Sequence, residues 1–218
     1  MTLLQTKIIT DTWVEASWQD FMQATENPDY EKGKFYYYQG NLRIEMPHVS
    51  NAHASDHSII NGAINLYASL KAIDFNGNDS CSYRQVGYRE VQPDLSYYLG
   101  ETVNAIPHGT GIVPLERFPP PTLVIEVAQS SFKDDYEIKR LLYEELGIQE
   151  YWIANVNKGE IIAFKMENGG SYRIRESLVL PSLELSILEE ALKMTRQTNH
   201  GQVMAWLLKI FSNSEFGS

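Results

Sequence analysis

The chain has 218 residues and one cysteine, and its 28 acidic side chains outnumber its 18 lysines and arginines, which gives a formal net charge of −10. The lone Cys81 excludes an intramolecular disulfide framework, and the composition suits a reducing cytoplasm, where we expect the protein to reside. The acidic balance excludes binding of nucleic acid through bulk positive charge, so a nuclease function would have to depend on a local site.

Apolar periodicity predicts the elements of the first half of the chain. In chain order these are a helix over 15–25, a β-hairpin formed by 34–38 and 42–46, and a helix over 53–71. Residues 1–10 lack the apolar core of a secretory signal, and no apolar run approaches the ~20 residues of a membrane helix. We therefore expect no membrane association.

Strands dominate the second half of the predicted pattern. Strands are expected at 80–86, 93–99, 122–128, 150–155, 160–166 and 171–176, and helices at 133–146, 186–196 and 201–211. Residues 215–218 resemble a cloning remnant and have no functional weight. Because no linker divides the pattern, we predict one α/β domain over 1–218, with a central mixed sheet flanked by helices.

Three residues stand out as candidates for chemistry. Glu126 lies alone in an apolar strand, where a charge is costly unless it is paired or bound to metal. Asp94 begins a neighbouring predicted strand, and two carboxylates placed in this way could hold a hard cation such as Mg²⁺. Lys139, in the next helix, could reach Glu126, orient the attacking water and stabilise developing negative charge.

The predicted helix over 133–146 places these residues by angle. At ~100° per residue its apolar side chains form one buried stripe. That stripe comprises Ile138, Leu141, Leu142 and Leu146. Asp135, Lys139 and Tyr143 follow at i+4 steps along its flank. Lys139 is therefore expected at the edge of the packed face, with Asp135 as a possible partner.

Each of these assignments has a structural alternative. Glu126 and Lys139 could form a buried ion pair without catalysis. Glu45 could be an additional acid of the metal site or an exposed strand residue. His53 and His57 have a metal-compatible i, i+4 spacing, but no third ligand accompanies them, so a residue at the helix start and a surface histidine are favoured.

Several of these residues stand in a pattern that resembles the Uma-type endonuclease family of the PD-(D/E)XK nuclease superfamily, from Thr12-Trp13 to about Pro181. The matching pieces are Arg43-Ile44-Glu45-Met46-Pro47 followed by His53, Gln92-Pro93-Asp94, Val124-Ile125-Glu126-Val127, the series Asp135, Lys139 and Tyr143, and Gly147-Ile148-Gln149-Glu150-Tyr151-Trp152-Ile153. The usual lysine of the superfamily lies two residues after the glutamate, where this chain has Ala128. Gln129 and Asn155 also depart from the family pattern.

The resemblance implies a restriction-endonuclease-like fold and a Mg²⁺- or Mn²⁺-dependent endonuclease acting on DNA. Asp94 and Glu126 would bind the metal, Lys139 would be the catalytic lysine, and His53 an accessory residue. Nucleases of this fold often build their cleft across two chains, so a homodimer is expected. The alternative is a non-catalytic nucleic-acid-binding or protein-interaction module that retains the fold.

Overall fold

The computed structural model describes residues 7–47 and 50–213. Its helices are α1 (Trp18–Thr25), α2 (Asn51–Leu70), α3 (Phe132–Asp134), α4 (Arg140–Leu146), α5 (Leu185–Met194) and α6 (His200–Asn213), and a π-helical segment (Asp135–Lys139) joins α3 to α4. Its strands are β1 (Trp13–Glu15), β2 (Lys34–Tyr38), β3 (Asn41–Glu45), β4 (Phe75–Asp79), β5 (Tyr83–Gln85), β6 (Arg89–Val91), β7 (Leu95–Leu99), β8 (Val113–Pro114), β9 (Leu123–Ala128), β10 (Glu150–Asn155), β11 (Glu160–Glu167) and β12 (Gly170–Ile174).

The first sheet is built around the predicted hairpin and has the strand order β1-β3-β2-β6-β5-β8. Gln39 and Gly40 both have positive φ, 47° and 76°, as a two-residue hairpin turn requires. This turn sets the register of β2 on β3, in which Lys34 lies opposite Glu45 and Tyr36 lies opposite Arg43. These four side chains consequently share one face of the sheet.

The second sheet has the strand order β12-β11-β10-β9-β7-β4. Its centre is the parallel pair of β9 and β10, both buried along their whole length, and β7 lies antiparallel to β9. Leu95 of β7 is the register partner of Ile125. The residue before β7, Asp94, is thereby placed beside Glu126.

Side-chain alternation sorts the core into three layers. Phe35 and Tyr37 of β2 pack towards α1, whereas Tyr36 and Tyr38 face the second sheet. Val124 of β9 faces the first sheet, and the far side of β9 packs on α2, α5 and α6. Glu126 alternates with Ile125 and Val127 and so lies in the layer between the two sheets.

The structure confirms the α/β class with mixed strands flanked by helices, although the strands form two sheets instead of one central sheet. The predicted strand 80–86 is shorter than expected, and β4 precedes it at Phe75–Asp79. Within the described part of the chain, no helix combines the length and apolar content needed to cross a bilayer. Residues 215–218 lie outside the described residues, and the single domain over 1–218 stays a prediction.

Candidate active site between the two sheets

Glu126 is the central buried acid of the candidate site. Its side chain is only 3% exposed, and it accepts hydrogen bonds at Oε1 from the hydroxyls of Tyr143, at 2.7 Å, and Tyr36, at 3.2 Å. These tyrosines come from α4 and β2, on the side of β9 that faces the first sheet. Glu126 is therefore held in one orientation by elements far apart in the sequence.

Asp94 lies directly beside Glu126, as the sequence predicted for neighbouring strands. Its Oδ2 accepts a 2.7 Å hydrogen bond from the backbone N–H of Val127, and its own backbone N–H lies 3.4 Å from Glu126 Oε2. The antiparallel pairing of β7 and β9 thus brings the two carboxyls to one place. Asp94 also forms an ion pair with Lys34, and His53 Nε2 lies 3.6 Å from its Oδ2.

Lys139 is more deeply buried than its helix position predicted. The side chain is 1% exposed, and its Nζ lies 2.9 Å from both Glu45 and Asp135 and 3.6 Å from Glu126. Nζ also lies 4.0 Å from the centroid of the Tyr36 ring, a favourable position for a cation. The ammonium therefore joins three carboxyls from three different elements.

The π-helical segment explains why the angular prediction for this helix was inaccurate. A π turn is wider than an α turn, so it changes which residues share a face. Asp135 and Lys139 begin and end this segment, and both are buried, whereas Leu141, predicted in the buried stripe, is 43% exposed. Leu142 of the predicted stripe is buried, and Ile138 and Leu146 pack partly against the core, so the prediction fails at Leu141 and in the deep burial of Asp135 and Lys139.

All seven predicted site residues lie in one connected network. The network consists of Glu45, His53, Asp94, Glu126, Asp135, Lys139 and Tyr143. Three further charged residues were missed: Lys34, Arg43 and Asp134. Arg43 contacts Glu45 at 2.8 Å and Asp134 at 3.2 Å. The hairpin register could have identified Lys34 and Arg43, because both share the face of Tyr36.

The network opens into a cavity of about 430 Å³. Its charged lining residues are Asp11, Lys32, Lys34, Arg43, Glu45, His53, Asp94, Glu126 and Lys139. Gln129, Ser130 and Ser131 contribute neutral polar groups on the segment that follows β9. Asp94 and Glu126 are therefore buried but border a space that a ligand can enter.

The pKa values of Asp94 and Glu126 are shifted in opposite directions. Burial, together with the smaller effect of the Asp94 charge, raises the pKa of Glu126 to about 8 despite the nearby ammonium of Lys139. Burial alone would also raise the pKa of Asp94, but the hydrogen bond with His53 and the charge of Lys34 hold it well below its usual range. At neutral pH the pair therefore contains one carboxylate and one protonated acid.

The surrounding acids favour the charged forms of the bases around the site. Burial lowers the pKa of Lys139, but the charges of Asp135, Glu126 and Glu45 outweigh this and raise it well above its usual value. The hydrogen bond with Asp94 raises the pKa of His53. Lys139 consequently acts as a permanent positive charge.

The donor set at Asp94 and Glu126 fits a hard divalent cation. Five carboxyls are joined in the network: Glu45, Asp94, Glu126, Asp134 and Asp135. Lys34, Arg43 and Lys139 offset three negative charges, which leaves two without a fixed base when all five acids are ionised. Burial, and after it the charges of Asp94, Asp135 and Glu45, raise the pKa of Glu126, and a bound divalent cation would favour its ionised form.

A second acidic group fits a metal less well. Oxygens of Glu45, Asp134 and Asp135 lie within 4.8 Å of one another. These acids already contact Arg43 and Lys139, and Trp13 Nε1 donates to Asp134. A metal ion there would have to displace two bases, so this group serves better to hold Lys139 and Arg43 in place.

The pKa of Glu126 predicts how stability depends on pH in metal-free protein. The folded chain holds a proton on Glu126 up to about pH 8, whereas the unfolded chain releases it near 4.5, so the free energy of unfolding should fall as pH rises between these values. One proton gives a slope of at most about 1.4 kcal/mol per pH unit. Glu126→Gln should remove this contribution.

Urea unfolding in EDTA from pH 5 to 8.5 measures how the free energy of unfolding changes with pH in wild type and in Glu126→Gln. Asp135, with a pKa raised by burial to about 6, and His53, with a raised pKa, contribute slopes of the same sign. Both groups remain in Glu126→Gln, so the difference between wild type and variant reports Glu126. Parallel curves for the two proteins would contradict the raised pKa.

Comparison with known proteins places this site in context. The Uma2 family, described as "Putative restriction endonuclease", matches residues 18–211. The fold is similar to the crystal structure of a "putative nuclease belonging to DUF820" from Anabaena variabilis ATCC 29413, with a TM-score of 0.53 and 17% identity over 88% of this chain and 99% of that one. A search of curated proteins found no match.

Proposed function

The chain belongs to the Uma2 family of restriction-endonuclease-like nucleases, and from this premise we propose that it is a metal-dependent endonuclease that hydrolyses phosphodiester bonds of DNA. The observation that supports the proposal most strongly is the pairing of Asp94 with Glu126 at the cavity, where Asp94 N lies 3.4 Å from Glu126 Oε2. Two adjacent carboxyls with opposite pKa shifts are typical of functional sites.

Asp94 and Glu126 are the proposed ligands of the metal, Mg²⁺ or Mn²⁺. Their carboxyl oxygens are the ligands that hard cations prefer, and both residues line the cavity. When bound, such an ion supplies Lewis-acid stabilisation of the phosphate and helps to activate water. The backbone N–H of Val127 and the hydroxyl of Tyr143 orient the two side chains for this role.

The remaining network residues position Asp94 and Glu126 and influence their ionisation. Lys139, 3.6 Å from Glu126, favours its ionised form and would orient the attacking water from the side of β9. Glu45 and Asp135 fix the ammonium at 2.9 Å each. His53 lies beside Asp94 as an accessory residue, and its imidazole adds positive charge when it is protonated.

Cleavage of plasmid DNA tests the proposal. Purified protein should nick or linearise supercoiled plasmid in Mg²⁺ or Mn²⁺, and EDTA should stop the reaction, because the proposed chemistry requires the metal ion that Asp94 and Glu126 would hold. Agarose electrophoresis over time measures the rate. Equal conversion in EDTA and Mg²⁺, or none with either metal on plasmid or branched DNA, would contradict the proposal.

A non-catalytic binding module that retains the fold is the rival interpretation. Calorimetric titration distinguishes the two, because a nuclease of the proposed type must bind Mg²⁺ or Mn²⁺, and a chain without metal binding would favour the module. The homodimer and the cytoplasmic location stay predictions. Light scattering at micromolar concentration determines the number of chains.

A further inference from the structure

Two lysines of the cavity differ in how available they are to a ligand. Lys139 is 1% exposed and contacts three carboxyls, whereas the side chain of Lys34 is 25% exposed. Among the described residues, the ion pair of Lys34 is with a single carboxyl, that of Asp94. Lys34 can therefore change partners at a lower cost than Lys139, whose departure would leave several buried acids uncompensated.

The position of Lys34 also places it between the solvent and the paired acids. Lys34 is the first residue of β2 and lines the cavity together with Lys32, which is exposed two residues earlier. Lys32, Lys34 and Lys139 thus form a series of increasing burial from the surface to the interior. In a chain with a net charge of −10, such a local series can attract a phosphate.

In the metal-free protein, Asp94 is the ion-pair partner of Lys34. Its carboxylate is the proposed metal ligand, so a cation bound there would take over the neutralisation that Lys34 now provides. The Lys34 ammonium would then lie in the cavity without its carboxylate counterion, next to the place where a phosphate must approach the paired acids. A lysine binds a phosphate as a flexible point charge, so exact orientation is not required.

We propose that Lys34 binds the substrate phosphodiester, exchanging Asp94 for a phosphate oxygen when the site is loaded, while Lys139 stays with the buried carboxyls. The inference rests on the proposed nuclease function and assigns it a phosphate-binding residue. It also gives the site two lysines with separate tasks: Lys34 contacts the substrate, and Lys139 stays with the carboxyls of Glu45, Asp135 and Glu126.

Binding of a labelled DNA duplex tests the assignment without cleavage as the readout. Fluorescence anisotropy of a 20-base-pair fluorescein-labelled duplex in Ca²⁺, measured over a range of salt, gives both the affinity and its salt slope. Lys34→Gln should weaken binding and reduce the slope by about 1, as expected for one lost phosphate contact. Lys34→Arg should keep the slope, and Lys209→Gln, on the exposed side of α6, should resemble wild type.

The outcomes separate this inference from the proposed function. If Lys34→Gln keeps the duplex affinity and slope but binds Ca²⁺ more tightly in calorimetry, Lys34 is only a counterion of Asp94 and the inference fails, while plasmid cleavage by wild type still supports the nuclease. A wild-type protein that binds the duplex through Lys34 but never cuts plasmid keeps the inference and removes the catalytic proposal. Absence of duplex binding by wild type overturns the inference directly.

Discussion

Replacing Lys139 by methionine should lower the free energy of unfolding by about 3–5 kcal/mol at pH 8, the range expected when one partner is removed from a buried ionic network. Lys139 is 1% exposed and contacts Glu45, Asp135 and Glu126. Methionine fills a similar volume but leaves these acids without their shared base. Urea unfolding measures the loss, which is large compared with the 5–15 kcal/mol of a typical domain.

The deficit of Lys139→Met should shrink as the pH is lowered towards 5. Without the ammonium, the pKa values of the surrounding carboxyls increase, so the folded variant takes up protons that wild type does not bind. Arg43 still faces Glu45 and holds part of the network. A deficit that is constant between pH 5 and 8 would contradict this explanation.

A matched control and a double variant separate charge from packing. Lys133→Met changes an exposed lysine of α3 and should alter stability by no more than about 0.5 kcal/mol. Asp135→Asn added to Lys139→Met should recover at least about 0.5 kcal/mol, because one of the uncompensated acids is removed. A loss below about 1 kcal/mol for Lys139→Met would overturn the view of Lys139 as the centre of the buried network.

The pairing of Asp94 with Glu126 could be predicted because it depends on strand order and burial cost. An isolated acid in an apolar strand is stable only when it is paired or bound to metal. The predicted strand 93–99, which contains Asp94 near its start, had the apolar pattern expected of a neighbouring strand in the same sheet. The turn residues Gln39 and Gly40 also determined the hairpin, and with it the face that carries Glu45. In both cases a feature of a short segment, a lone acid in an apolar strand or a two-residue turn, restricted which distant residues could lie beside it.

The burial of Lys139 could not be predicted from the helical pattern, because one wide turn changes the angle of every later residue. Nothing in the residues 135–139 identifies a π-helical segment. The division of the strands into two sheets was also missed, since alternation shows which side chains share a face but not which strands are paired. That division creates the space in which Glu126, Lys139 and the cavity meet.

The net charge of −10 has a different meaning once the site is described. Five of the acids belong to the network around Glu126, where three bases oppose them. The network therefore contributes two of the excess negative charges, at the place where a divalent cation would be used, and the exposed Lys32 and half-buried Lys34 line the same cavity. DNA binding should consequently depend on metal and weaken strongly with added salt.

Asp94→Asn should reduce Mg²⁺-dependent plasmid cleavage by about a thousandfold while the chain stays folded. Asparagine keeps the shape of the side chain, and its oxygen can still accept from the N–H of Val127, so the junction of β7 and β9 is preserved. It removes the negative charge that Lys34 and the proposed metal both require. Loss of several kcal/mol of transition-state stabilisation corresponds to a rate change of this size.

Three measurements on matched proteins decide whether Asp94 acts through the metal. Asp94→Asn should show no Mg²⁺ binding in calorimetry, and its thermal unfolding should remain cooperative. Asp74→Asn, which alters an exposed acid just before β4, should bind Mg²⁺ and cleave plasmid as wild type does. If Asp94→Asn purified in the same way retains full Mg²⁺-dependent cleavage, the activity comes from another site or a contaminant, because a carboxylate that can be neutralised without loss is not a ligand of the catalytic ion.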